Sequence, residues 1–204
     1  DIFLRDVQSG TTTRVQGGVE GNQNALFPTI SRDGRFVAFQ STSTNLVGGD
    51  TNNQADVFLW DRLSPTSIER VSVDTAGNQA DQRSGSPYIS ADGRFVAFDS
   101  AATNLVSDDT NGEFDVFVRD LLADTTERVS LSSLGAEGNG VSHRPSISPT
   151  GRWVVFRSLA STLVVADSNN AYDVFLHDRE DGKTTRVSVT PAGGNANDDS
   201  EEPV

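Results

Sequence analysis

The sequence predicts an all-β chain built from repeated four-stranded antiparallel units that stack face to face. Three observations carry this expectation. Pro28, Pro87, Pro145 and Pro203 recur at intervals of 59, 58 and 58 residues, each opening the same template, and self-similarity at such a period marks a repeat architecture. Each unit divides into four strand-sized pieces separated by turn residues. The second piece is apolar without alternation, as a strand covered on both faces should be; a strand with one wet face would alternate.

Taken in order, the first piece is short: Pro28-Thr-Ile-Ser31, Pro87-Tyr-Ile-Ser90 and Pro145-Ser-Ile-Ser148. A tight turn follows at Asp33-Gly34, Asp92-Gly93 and Thr150-Gly151, whose glycine supplies the positive φ that a two-residue hairpin needs. The second strand reads Arg35-Phe-Val-Ala-Phe39, Arg94-Phe-Val-Ala-Phe98 and Arg152-Trp-Val-Val-Phe156. A longer loop leads to Asp56-Val-Phe-Leu-Trp-Asp61, Asp115-Val-Phe-Val-Arg-Asp120 and Asp173-Val-Phe-Leu-His-Asp178. After a polar turn comes the outermost strand, Glu69–Val73, Glu127–Leu131 and Thr185–Val189, polar enough for an edge that meets water. Four antiparallel strands in a unit of this length form the blade of a β-propeller.

The expected organisation is one propeller domain of about three and a half blades. Residues 1–27 supply the second half of a blade and a connection, residues 28–86, 87–144 and 145–202 are complete blades, and residues 203–204 begin the next. A closed ring needs at least about four blades. The expectation is therefore that the chain continues in a longer propeller, with a homo-oligomer, in which one copy's half blade pairs with another's open edge, as the alternative.

The pattern Pro-x-Ile-Ser-x-Asp-Gly-Arg-Phe-Val-Ala-Phe-x-Ser, followed by Asp-Val-Phe-x-x-Asp and Arg-Val-Ser, resembles the TolB-like propeller repeat, a relative of the WD-type blades. The resemblance covers essentially the whole chain and recurs three times. The third unit departs from it with Pro149-Thr150-Gly151 in place of Asp-Gly, which is expected to alter the turn and leave the fold. Function in that family ranges over periplasmic scaffolds, gating domains of peptidases and secreted proteins of many kinds. The resemblance thus implies shape far more strongly than activity.

Composition narrows the function classes. Hydrophobic residues make up 35% of the chain and fall in short runs, too short to insert in a membrane as a helix. There is no Cys and no Met, which excludes disulfides, thiol catalysis and thiolate metal sites and is compatible with an extracellular or periplasmic setting. With 16 basic against 29 acidic residues the formal charge is −13. Such a field repels nucleic acid and attracts cations.

The loop before the third strand is the chemical candidate. It reads Asp-x-Asn-x-x-x-Asp three times: Asp50, Asn52 and Asp56; Asp109, Asn111 and Asp115; Asp167, Asn169 and Asp173. Oxygen ligands at relative positions one, three and seven are how a short loop wraps a hard cation such as Ca²⁺. Position four is Asn53, Gly112 or Asn170, the types that best accept a left-handed backbone. Glu113 adds a charge in the second copy, which is therefore expected to bind most tightly. Asp61, Asp120 and Asp178 stand at position twelve, as in an EF-hand, but the intervening extended strand carries them roughly 16 Å away. The competing reading is that these side chains only cap turns.

Other recurring residues read as structural. The pairs Leu46-Val47 and Leu105-Val106, with Leu163-Val-Val165 in their place in the third blade, are expected to tuck under the loop, and Arg70, Arg128 and Arg186 to form exposed pairs with acids. Trp60 replaces Arg119 or His177 of the other blades and is expected to pack, with exposure as the alternative. The acidic connections between blades, including Asp81, Asp198, Asp199, Glu201 and Glu202, are where a rigid scaffold would display a binding surface. Nothing in them distinguishes a protein partner from a glycan. His143 and His177 do not recur and no nucleophile elbow accompanies them, so no catalytic site is expected. The expected function is a non-catalytic, calcium-stabilised binding or structural module. The alternatives are a gating domain of a larger hydrolase and a self-assembling surface protein.

Overall fold

The computed structural model describes residues 1–194, 196, 199 and 200. The expectations for Pro203, for residues 203–204 and for Asp198, Glu201 and Glu202 lie outside the described residues. Strands β1 (Phe3–Asp6) and β2 (Thr11–Arg14) form a two-stranded sheet. Three four-stranded antiparallel sheets follow: β3 (Ala25–Ile30), β4 (Phe36–Ser41), β5 (Asp56–Asp61) and β6 (Ile68–Arg70); β7 (Ser84–Ile89), β8 (Phe95–Ser100), β9 (Asp115–Asp120) and β10 (Thr125–Arg128); β11 (Ser142–Ile147), β12 (Trp153–Ser158), β13 (Asp173–Asp178) and β14 (Lys183–Arg186). Within each sheet the strands run in chain order from inside to outside. The turn glycines Gly34, Gly93 and Gly151 have φ of 68°, 74° and 78°, and the third turn keeps its backbone bond, Gly151 N to Ser148 O at 2.9 Å, without the aspartate.

Two elements differ from the sequence expectation. The inner strand begins three residues before the proline, at Ala25, Ser84 and Ser142, and the register slips between Leu26 and Thr29, Gly85 and Tyr88, and His143 and Ser146. Each slip is a bulge with a non-glycine residue at positive φ: Phe27 at 51°, Ser86 at 47° and Arg144 at 54°. The proline that follows has no N–H, so the interrupted ladder leaves no donor stranded. The outer strand, in turn, ends at Arg70, Arg128 and Arg186. Beyond it Ser72, Ser130 and Ser188 turn their hydroxyls to the N–H of Val57, Val116 and Val174 and donate to Asp56, Asp115 and Asp173.

The sheets stack through alternate faces of the apolar second and third strands. Ala38, Val57 and Leu59 of the first full blade pack with Val96, Phe98 and Phe117 of the second, while Phe95, Ala97, Val116 and Val118 pack with Val154, Phe156 and Phe175 of the third. The half blade contributes Ile2 and Val15 against Phe39, Phe58 and Trp60. Trp60 is buried, and its indole N–H donates to Pro65 O at 3.1 Å. Leu105 and Leu163 lie in these cores as expected.

Coverage of both faces is complete only in the middle. Every residue of β8 and β9 is buried, whereas β12 alternates: Trp153 is 39% exposed where Phe95 is 8% exposed. The side chains that fail to bury, Trp153, Val155, Val174 and Leu176, lie on the face equivalent to the one that Phe95, Ala97, Val116 and Val118 turn towards the third blade. The same apolar pattern thus takes two burial patterns, decided by whether a sheet follows.

Candidate functional site

The Asp-x-Asn-x-x-x-Asp loops turn where the sequence predicts, with Asn53, Gly112 and Asn170 at φ of 54°, 69° and 51°. The asparagine organises each turn. Its Oδ1 accepts the N–H two residues on, from Gln54 at 2.9 Å, Glu113 at 2.8 Å and Ala171 at 3.3 Å. Its amide N–H donates to the last aspartate of the loop and to a carbonyl of the next connection, Ala80, Gly138 or Ala196. Each loop is thereby tied to the segment that leads to the following blade.

The first and last aspartates face an arginine from the outer strand. Arg70 stands 3.2 Å from Asp50 and 3.3 Å from Asp56, Arg128 stands 3.4 Å from Asp109 and 3.5 Å from Asp115, and Arg186 stands 3.1 Å from Asp167 and 3.4 Å from Asp173. The expectation that these arginines form exposed pairs is corrected in one respect. They do pair with acids, but inside the fold, where the Arg128 side chain is only 3% exposed. The reason is register: the outer strand ends on the arginine, and the serine two residues later pulls the chain over the loop.

The second loop carries an extra acid, and it is not the expected one. Glu113 is exposed and contributes its backbone N–H. Glu137 instead reaches in from the connection, 2.9 Å from Arg128, and Asp109, Asp115 and Glu137 offer oxygens within 4.8 Å of one another. Its counterpart in the preceding blade is Gln79, which accepts from Arg70 at 2.5 Å. A residue nine places after the arginine was the signal that would have found it. Burial pushes Asp56 and Asp115 above the ordinary carboxylate range. Asp109 is pushed up to about 6, by burial first and by the neighbouring Asp115 charge second.

Calcium takes six to eight oxygen ligands. In all three loops the guanidinium and the asparagine amide aim N–H donors at the carboxylates, which suits a neutralised turn. The second loop differs in having three carboxylates around one guanidinium; its buried Asp109 Oδ1 makes no hydrogen bond, as Asp50 Oδ1 makes none in the first loop, and faces Arg128 Nη1 at 3.4 Å. The position-twelve aspartates have a separate partner: Asp61, Asp120 and Asp178 each receive a two-pronged bond from Arg35, Arg94 and Arg152. Of the histidines, His143 lies on β11 and accepts from Arg157 at 2.9 Å, while His177 is buried against Thr184.

No family model and no curated protein matches the chain. Solved structures do. TolB from Acinetobacter baumannii aligns at TM-score 0.56 and 17% identity over 95% of this chain and 38% of its own. A TolB described as putative, from Agrobacterium tumefaciens, aligns at 0.52 and 19% identity over 87% of this chain and 52% of its own. The tricorn protease aligns at 0.56 and 13% identity over 91% of this chain and 20% of its own. The chain is thus about three and a half blades of a β-propeller, TolB-like in fold. It spans between a third and about half of the TolB structures it resembles.

Proposed function

We propose that this chain is a non-catalytic stretch of TolB-like propeller, serving as a rigid binding or structural module in a secreted or periplasmic protein. The observation that carries the reading is the uncovered apolar face of the third blade beside a fully buried middle blade. Such a stack is stable as a scaffold and is made to be continued, by further blades or by a second copy. Static light scattering combined with a thermal melt tests it. A monomer with one cooperative transition supports continuation in the same chain; a discrete dimer supports closure by a second copy. Open-ended assembly favours a self-assembling surface protein instead, and independent melting of separate blades would sink the rigid scaffold.

A second reading adds a divalent cation at Asp109, Asp115 and Glu137, favoured by the convergence of their carboxylate oxygens within 4.8 Å of one another. A bound cation stabilises the fold by linkage. Millimolar calcium is then expected to raise the melting temperature relative to EDTA, and Glu137→Gln to abolish the rise. Superimposable melting curves in EDTA and calcium would remove this reading and leave the scaffold intact.

A further inference from the structure

The fifth residue of each third strand, Trp60, Arg119 or His177, lies at the seam with the preceding blade. Trp60 packs with Ile2 and Val15 of the half blade. Arg119 reaches back to the first full blade, its Nη1 donating to Asp74 O at 3.3 Å, while its Nη2 pairs with Asp124 at 3.1 Å. His177 shares its strand face with Phe175, which packs with the second blade, and is 6% exposed. One seam is thus filled by a neutral ring, one by a permanent cation with its own acid, and one by a group whose ordinary titration lies near neutral pH.

The two seams between full blades close in the same way. Thr126 of β10 donates its hydroxyl to Val73 O and its N–H to Thr75 Oγ1 of the blade before it. Thr184 of β14 donates its hydroxyl to Leu131 O and its N–H to Ser133 Oγ. A carbonyl can only accept, so the single hydroxyl proton of Thr184 goes to Leu131. The 2.9 Å bond between Thr184 Oγ1 and His177 Nδ1 is therefore donated by the imidazole, and Nε2 keeps its lone pair. The neutral ring orients the threonine that closes the seam.

A proton on Nε2 would place a full charge between two blades, where little water reaches it. The charged groups around the ring are Glu127 of β10, Asp178 and Arg179. Both acids are already engaged: Glu127 accepts from Arg179 at 2.6 Å, and Asp178 takes the Arg152 fork at 2.9 and 2.6 Å. Val154 of β12, Thr184 of β14 and the turn carrying Leu131 and Ser133 add no titratable side chain. Burial first, and Arg179 with it, holds the imidazole below its ordinary 6.5 against the pull of Glu127 and Asp178.

We propose that His177 makes the seam between the second and third blades an acid-sensitive joint: the neutral ring keeps Thr184 closed on Leu131, and protonation loosens the third blade while the Arg119 seam stays shut. A base whose protonation the fold opposes contributes stability above about 6.5 and loses it as pH falls below that value. The joint adds to the reading of a rigid module, which concerns neutral pH and stands whichever way the test falls.

The test is amide hydrogen exchange of the whole chain by NMR at about pH 7.5 and about pH 5.5, because the Thr184 and Thr126 N–H groups each cross one seam. The protection factor at Thr184 is expected to fall severalfold, up to the roughly tenfold that one unit below 6.5 allows, with little change at Thr126. His177→Gln keeps a donor for Thr184 Oγ1 and cannot gain a proton, so it is expected to abolish the fall, whereas His143→Gln is expected to leave it. A fall that survives His177→Gln overturns the proposal. Should that variant fail to fold, the unaltered chain still decides. No fall at Thr184, an equal fall at Thr126, or an NMR titration of the His177 ring at or above 6.5 overturns the proposal as well.

Discussion

Arg94 and Asp120 meet across the first and last residues of a hairpin, with Nε 3.0 Å from Oδ1 and Nη2 2.6 Å from Oδ2. The same fork joins Arg35 to Asp61 and Arg152 to Asp178. It fastens the outer end of every second strand to its neighbour. The Arg94 fork, with the N–H groups of Ala123 and Leu122, holds Asp120 down to about 2.

The pH dependence follows from that direction. A carboxyl whose folded pKa lies below its unfolded value near 3.8 contributes stability above that value and loses it as pH falls through the folded one. Melting temperature is expected to drop between about pH 4 and pH 2, and Arg94→Gln to flatten the drop. An unchanged slope in the variant would show that other carboxylates govern acid unfolding.

Asp109 has the opposite sign. Its pKa is raised to about 6, so its ionised form opposes folding, and that cost disappears as pH falls from about 6 towards the unfolded value. Asp109→Asn is expected to raise the melting temperature at pH 7 in EDTA by roughly 2–5 °C and to change little at pH 4. Arg128→Leu leaves Asp109, Asp115 and Glu137 without their cation and is expected to cost about 3–5 kcal/mol. Urea melts of the two variants measure both effects.

Phe98 is fully buried and stacks on Phe117 at 5.8 Å between centroids. Phe98→Ala is expected to cost about 3–5 kcal/mol. Trp153, 39% exposed at the end of the stack, should cost less than about half as much on truncation, because it leaves no enclosed cavity. Comparable losses in the two variants would mean that another surface covers Trp153 in solution.

Gly34 and Gly93 occupy the same turn position at φ of 68° and 74°, yet their surroundings differ. A Cβ on Gly93 would collide with the Phe36 ring of the preceding blade, whereas one on Gly34 meets only Ile30 Cδ1 at 3.9 Å. Alanine at Gly34 is expected to cost about 1 kcal/mol from backbone strain. Gly93→Ala carries the collision in addition, and a denaturant midpoint lowered equally by both would argue against the close blade contact.

Local pattern made much of this legible. The turn glycines, the unbroken apolar run of Phe95 to Phe98 and the left-handed Asn53, Gly112 and Asn170 follow from rules that act within a few residues. Contacts between strands distant in sequence were not readable in that way. Arg128 reads as an exposed edge residue until the register places it among Asp109, Asp115 and Glu137, and Glu113 reads as a ligand until its neighbours' bonds turn it outward. The bulges at Phe27, Ser86 and Arg144 have a proline as their only sequence mark.

What the amino-acid order alone determined is the repeated four-stranded sheet, because hydrogen-bonded hairpins and apolar runs depend on neighbours along the chain. What the tertiary arrangement decided is which charges are buried together, which apolar face stays open on the third blade and which side chains meet at the seams between blades. Those outcomes depend on how sheets some sixty residues apart are brought face to face, and side-chain burial, unlike strand formation, is a property of the stack.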